Sequence, residues 1–314
     1  MAVQGFYCVL KNHVDGILDN AAPFLILNAR LSAYFRKLAP QPVRMKKQIT
    51  SPQNPFIKNI ALLAHKARER QPQGLFVAEG LREVGLALQN SYEAEALLFD
   101  ESLTPAATVE ALAAITLISP KEIIGASRAV FEKIAYRSSV PNVVGLFKMK
   151  QPTLADITFK STPFVLVVEN VEKPGNLGAM LRTADAAGVD AVLVCDPQCD
   201  LFNPNTIRAS LGAVFTVPVV AVSSEEAAAW LKKSGIPTFA TYLEASRPLY
   251  SCDLRGPLAL VLGAESTGIS DFWVKQADER IIIPMAGQVD SLNVSASAAV
   301  VLFEVVRQRQ GLKD

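Results

Sequence analysis

Three short stretches of this chain combine polar side chains with backbone that a ligand could approach. The longest is Ile281 to Val305, IIIPMAGQVDSLNVSASAAVVLFEV. Ile281 to Ile283 is a β-branched run suited to a buried strand, and Pro284 ends it because proline has no N–H to give to a ladder. Gly287, Gln288, Asp290 and Ser291 follow in a polar loop, and either Asn293 or Ser295 can cap the Ala- and Val-rich helix beyond. A loop that leaves the carboxyl end of a strand and enters a helix is where open α/β sheets bind ligands, since the helix start adds free N–H groups. The competing reading, an ordinary connection, calls for no loop this long or this polar. In VLGAESTGIS, Gly263 and Gly268 bracket Glu265 after another strand-like run, and glycines beside a strand end allow close approach of backbone to ligand. In NLGAMLRTADAAG, Arg182 lies six residues after Asn176 among small residues that leave room for a substrate. The plain alternative for Arg182 is a surface ion pair with Glu172 or Asp185.

Other chemistries are disfavoured. A G-x-G-x-x-G fingerprint is missing after the first strand of the second half, which argues against a nicotinamide-dependent dehydrogenase. His13 and His65 are the only histidines and have no motif around them, so neither a Ser-His-Asp nor a Cys-His enzyme is indicated. Of Cys8, Cys195, Cys199 and Cys252, one pair is spaced C-x3-C with no second pair and no nearby histidine, which reads as reduced, buried thiols and not as a zinc site. No metal is called for.

The elements that must position these stretches follow from the hydrophobic pattern. At 314 residues the chain is long enough for two domains. Residues 1 to 44 look unlike the rest. Their apolar patches are too short to span a bilayer and lack signal-peptide layout, and we read them as an extension, with Met45 as the functional beginning. Residues 45 to 150 form a small α/β unit: a helix over Asn54 to Arg70, strands at Phe76 to Ala78, Ala96 to Asp100, Thr116 to Ser119 and Val143 to Lys148, and helices at Leu81 to Leu88 and Phe131 to Ala135. A linker spans 151 to 163. From 164 to 314, strands at Phe164 to Val168, Ala191 to Cys195, Val217 to Val220, Thr238 to Thr241, Leu258 to Leu262 and Arg280 to Ile283 alternate with helices. That alternation implies an α/β fold whose mainly parallel sheet is covered on both faces. Net charge is +3 for 1 to 44, +3 for 45 to 150 and −5 for 151 to 314. A polyanion would therefore dock on the amino-terminal half.

The three polar stretches also carry a resemblance. Ile283-Pro284-Met285, Gly287 and Ser291-Leu292-Asn293-Val294-Ser295 resemble the third signature motif of the SpoU/TrmH family of RNA ribose 2′-O-methyltransferases, part of the SPOUT superfamily. Asn176, Gly178, Arg182, Thr183 and Ala184 resemble the first motif, and Leu262, Gly263, Glu265 and Gly268 the second. More weakly, Ser51, Asn54, Lys58, the run Lys66 to Arg70, Phe76 to Gly80 and Arg82 resemble the family's amino-terminal substrate-binding domain.

The resemblance implies a carboxy-terminal trefoil knot holding S-adenosylmethionine, and a homodimer with the site near its interface. Gly263, Ile283 and Leu292 become the cofactor-binding candidates. Arg182 becomes the catalytic candidate, either as base or as a clamp on the phosphate next to the reacting hydroxyl, and its high solution pKa favours the second role. Asn176 stands near the start of its helix. Ser291 and Asn293 would bond the ribose or fix Arg182, and Glu265 would hold the loops. Lys58, Arg68, Arg70 and Arg82 would dock RNA through phosphates, and Arg208 and Ser210 in NPNTIRASLGAVF would face it. The expected activity is methyl transfer from S-adenosylmethionine to an RNA 2′-hydroxyl in the cytoplasm, on ribosomal more than transfer RNA. The alternative is an RNA-binding protein that kept this fold without catalysis.

Overall fold

Apolar runs between turn residues sort into two sheets. The computed structural model describes residues 47–115, 122–136, 140–159, 161–244 and 246–311. Residues 1 to 44, Met45 and the expected strand Thr116 to Ser119 lie outside them, and the described residues form one compact unit. The first sheet contains β1 (Lys47–Ile49), β2 (Leu75–Glu79), β3 (Ala94–Asp100), β4 (Glu122–Ala126) and β5 (Val143–Lys148), in the order β1-β4-β3-β5-β2. β5 runs antiparallel to β3 and β2, and the other pairs are parallel.

Around this sheet lie α1 (Pro55–His65), α2 (Ala67–Gln73), α3 (Leu81–Gln89), α4 (Ala106–Ile115) and α5 (Arg128–Ile134). Asn54 caps α1 by accepting from the Phe56 amide at 2.9 Å, with Pro55 at the first helical position. Ile57, Ile60 and Leu63 of α1 meet Val130, Phe131 and Ile134 of α5 over Val77, Leu98 and Ile124 of the sheet. The helix expected to run on to Arg70 breaks at Lys66, whose backbone is extended.

That break has a consequence for Arg70. The restarted helix α2 turns Arg70 inward, where it is 1% exposed. Its guanidinium donates to the Leu63 carbonyl at 2.6 Å and pairs with Asp200 at 2.5 Å. Arg70 is therefore no RNA-docking residue, because its donors are spent inside the protein. It ties the first sheet's helices to the second sheet's loops, alongside Phe76, whose ring stacks on Phe202 with centroids 4.5 Å apart and on Phe215 at 5.6 Å.

The second sheet is built from β6 (Phe164–Glu169), α6 (Pro174–Ala187), β7 (Ala191–Cys195), α7 (Pro204–Ala209), β8 (Val219–Val222), α8 (Ser224–Lys233), β9 (Thr238–Thr241), β10 (Arg247–Pro248), β11 (Leu258–Leu262), α9 (Asp271–Gln276), β12 (Glu279–Ile282) and α10 (Val294–Arg309). All pairs are parallel, in the order β10-β12-β9-β11-β6-β7-β8. The late strands fill interior places: β11 enters between β9 and β6, and β12 between β10 and β9. β6, β7 and β11 are buried at every residue, as parallel strands covered on both faces must be.

Val165, Val167 and Leu193 face Ala227 and Leu231 of α8 and Trp273 of α9. The alternate residues Leu166, Val168 and Leu260 point the other way, toward the paired helices α6 and α10. Between the sheets, residues 151 to 159 are docked. Leu154, Ile157 and Phe159 pack on the second core, and Thr153 and Asp156 close a reciprocal cap around one 3₁₀ turn. Burial pushes the Cys195 thiol up to about 12, so it offers no thiolate at neutral pH.

Candidate active site

The polar stretches meet at the carboxyl ends of β9, β11 and β12. After β11 the chain turns back on itself. Ala264 and Gly268 exchange both backbone hydrogen bonds, at 3.0 and 2.9 Å, and Gly268 takes the left-handed conformation with φ +67°. The turn is so tight that a Cβ on Gly263 would lie 2.0 Å from the Gly268 carbonyl. Glu265 stands at its exposed tip. The far end of the turn is anchored by Glu169, a carboxylate 2% exposed at the end of β6, which accepts from the Ser270 amide at 2.7 Å and the Ser270 hydroxyl at 2.6 Å.

Glu265 gathers residues from the other two stretches. Lys173 and Asn176, at the start of α6, both donate to its Oε2, Asn176 at 3.2 Å, while Asn293 donates to Oε1 at 3.0 Å. The Asn293 side-chain amide also donates to the Asn176 side-chain Oδ1 at 3.5 Å, and its own Oδ1 caps α10, accepting from the Ser295 amide at 3.0 Å. Three separated segments are thus joined at one carboxylate. The hydrogen bond from Lys173, then that from Asn293, holds the Glu265 carboxyl below its ordinary range, and the bond to Glu265 in turn raises the Lys173 ammonium. Lys173 is the residue that sequence reading missed. Its only signal was its place three residues before Asn176.

Beside this cluster lies an open cleft of about 420 Å³. Its walls include Leu262, Gly263, Ile281 to Ile283, Met285, Ser291 and Leu292, so all three cofactor candidates border one space. The volume suits a nucleoside-sized ligand. Glu244, Glu265 and Asp290 bring carboxylates to it, and among the described residues no Lys, Arg or His lines it. Such a lining fits a cationic ligand with an apolar body and opposes a dinucleotide, whose phosphates need N–H donors or cations. A sulfonium and ammonium compound such as S-adenosylmethionine meets that description, with the backbone of Gly263, Ile283 and Leu292 available to its adenine and ribose.

Comparison with known proteins agrees. Residues 163–303 match the SpoU rRNA Methylase family and residues 54–145 the MRM3-like substrate binding domain. The 23S rRNA (guanosine(2553)-2′-O)-methyltransferase RlmP of Bacillus subtilis (strain 168) is 30% identical over 260 residues, covering 82% of this chain and 99% of the relative. This chain belongs to the SpoU rRNA methylase family. The S-adenosylmethionine-bound rRNA methyltransferase of Sinorhizobium meliloti superposes with a TM-score of 0.76 at 30% identity, covering 85% of this chain and 98% of that one. The 23S rRNA (guanosine-2′-O-)-methyltransferase RlmB of Pectobacterium atrosepticum is 45% identical over 150 residues. That match takes in 48% of this chain and 62% of the relative, so the chain spans less than two thirds of that relative's length.

The remaining SpoU candidates are placed unevenly. Arg182 is exposed on α6, outside the cleft walls, and among the described residues it has no hydrogen-bond or ion-pair partner. Asp185 instead accepts from Thr216 at 2.6 Å, so the surface ion pair considered for Arg182 is not formed there. Neither Ser291 nor Asn293 fixes Arg182: Ser291 borders the cleft and donates to Asp290 at 2.9 Å, and Asn293 is held by Glu265. Lys58, Arg68, Arg82 and Arg208 are exposed. Ser210 is not available to RNA. It is 1% exposed, and its hydroxyl donates to the Ile207 carbonyl at 2.8 Å.

Proposed function

We propose that this chain transfers a methyl group from S-adenosylmethionine to a ribose 2′-hydroxyl of ribosomal RNA. The observation that carries the reading is the joining of Lys173, Asn176, Glu265 and Asn293 beside a cleft that is rich in carboxylate and free of basic side chains among the described residues. The names of the RlmP and RlmB relatives support ribosomal over transfer RNA.

Bound S-adenosylmethionine supplies an electrophilic methyl on a sulfonium. The chain's own residues do the rest. Glu265 fixes the three loops that border the cleft, while Gly263, Ile283 and Leu292 hold the cofactor. Arg182 clamps the phosphate beside the reacting hydroxyl and so aligns its oxygen; proton loss is late or shared with that phosphate. Lys58, Arg68, Arg82 and Arg208 contact RNA phosphates. We take the working form to be a cytoplasmic homodimer. Phe303, 48% exposed on α10, and Arg182, which has no partner among the described residues, support a second copy completing the site. The late insertion of β11 and β12 supports the trefoil threading.

The test is transfer of labelled methyl from S-adenosylmethionine to ribosomal RNA taken from cells lacking this gene, followed by nucleoside analysis. A 2′-O-methylated nucleoside is the expected product. Binding of that RNA without any transfer would overturn the reading in favour of a non-catalytic RNA-binding protein.

A further inference from the structure

The outer surface of the first sheet's helices carries a feature that the methyl-transfer site does not use. α1 and α5 lie side by side, joined through Ile57, Ile60 and Leu63 on one and Val130, Phe131 and Ile134 on the other. Their outward residues therefore share one surface. On it the rings of His65, the last residue of α1, and Tyr136, just beyond α5, stand with centroids 5.6 Å apart and planes 33° from parallel. Both are exposed, Tyr136 at 38%. The Tyr136 backbone is held in place: its amide donates at 2.6 Å to Glu79, a carboxylate 6% exposed at the end of β2. Lys58, Leu62 and His65 fall at i, i+4 and i+7, one stripe along α1, and Leu62 is 38% exposed. Lys58, Lys66 and Lys133 are exposed without an ion pair among the described residues, and Glu132 is the acid nearest Tyr136 in sequence.

We propose that His65 and Tyr136 form a stacking platform for an unpaired nucleobase, with Lys58, Lys66 and Lys133 attracting the adjoining phosphates. The proposal rests on the reading of this chain as an RNA enzyme. An aromatic face presented to water is poorly solvated and gains by stacking on another π-face, and every base offers one. Excess cationic charge around the rings matches a polyanion and opposes an acidic or neutral protein surface. Because stacking is indifferent to base identity, the platform contributes affinity and register, and sequence choice rests with the methyl-transfer site.

The experiment uses the full chain and two fluorescein-labelled probes, an oligoadenylate and an abasic oligomer with the same number of phosphates, read by anisotropy. Tyr136→Ala is expected to weaken oligoadenylate binding about 5- to 150-fold, the range for losing one stacked base, and to leave abasic binding unchanged. Tyr136→Phe keeps the ring and keeps the affinity. His65→Ala weakens oligoadenylate binding in the same selective way. Native-like oligoadenylate binding by Tyr136→Ala would overturn the platform, and so would equal weakening of both probes. A native chain that methylates RNA but does not bind oligoadenylate overturns the platform alone; one that does neither removes the RNA reading with it.

Discussion

Glu265 accepts from Lys173, Asn176 and Asn293, three residues that come from two distant segments of the chain. Its carboxyl is held below the ordinary value, so the tie is complete above the unfolded pKa of about 4.3 and is lost as pH falls through the depressed folded value. Cofactor affinity measured by calorimetry should therefore stay flat, as far as this group is concerned, from pH 8 down to about pH 5. Glu265→Gln should lower kcat several-fold at neutral pH, because the charge that holds Lys173 is gone. Arg182 predicts a different split. With no partner among the described residues, Arg182→Ala should abolish turnover of labelled methyl while leaving the calorimetric affinity for S-adenosylmethionine near native. Equal loss of both would place Arg182 in the cofactor site.

Helix α6 carries much of the site, and its own placement depends on one glycine. A Cβ at Gly178 would lie 2.6 Å from the Ala209 Cβ and 2.6 Å from the Thr206 carbonyl oxygen, so α6 and α7 touch through backbone. Gly178→Ala should force the two helices apart, at a cost of roughly 1–3 kcal/mol, the range for overpacking a close contact. Urea unfolding gives that number directly. Since Asn176 and Lys173 ride on the same helix, methyl transfer should fall further than the loss of folded protein accounts for. This glycine could be read from the sequence as a motif position, but its reason could not, because Ala209 lies thirty-one residues further along the chain.

At the scale of the whole molecule, the two sheets are tied together through buried groups. Arg70 and Asp200 have side chains only 2% and 10% exposed, and they sit beside the stacked rings of Phe76, Phe202 and Phe215. Removing one member of a buried pair leaves an uncompensated charge and typically costs about 3–5 kcal/mol. Arg70→Ala should therefore lower the denaturation midpoint strongly. Were Arg70 an RNA contact, the same change would reduce RNA affinity and leave the midpoint alone. The double variant with Asp200→Ala should recover part of the loss, since the stranded carboxylate is gone.

The sequence by itself determined much of the alternation of strands and helices in the second half, because burial on both faces imposes runs such as Phe164 to Val168 and Leu258 to Leu262, which are too short for a buried helix. It also determined the chemistry-bearing loops, where polar residues sit against strand ends and glycines. It missed β1, β4, β10 and α9, two to six residues long and too short to show a period, and α4, whose AATVEALAAI is apolar nearly all round, and it ran α1 through a break at Lys66 that local propensity does not mark. What only the tertiary structure decided was which polar groups are spent inside the protein. Arg70 looks like its exposed neighbour Arg68 in the sequence, and differs because Asp200, from the other sheet's loops, satisfies it out of water; Ser210 bonds locally, to the Ile207 carbonyl, and is withdrawn from solvent by the packing around it. Lys173 shows the reverse. Its place three residues before Asn176 is a faint mark until the turn after β11 brings Glu265 beside it. Hydrogen-bond satisfaction depends on contacts between residues far apart in the chain, and local pattern carries no record of them.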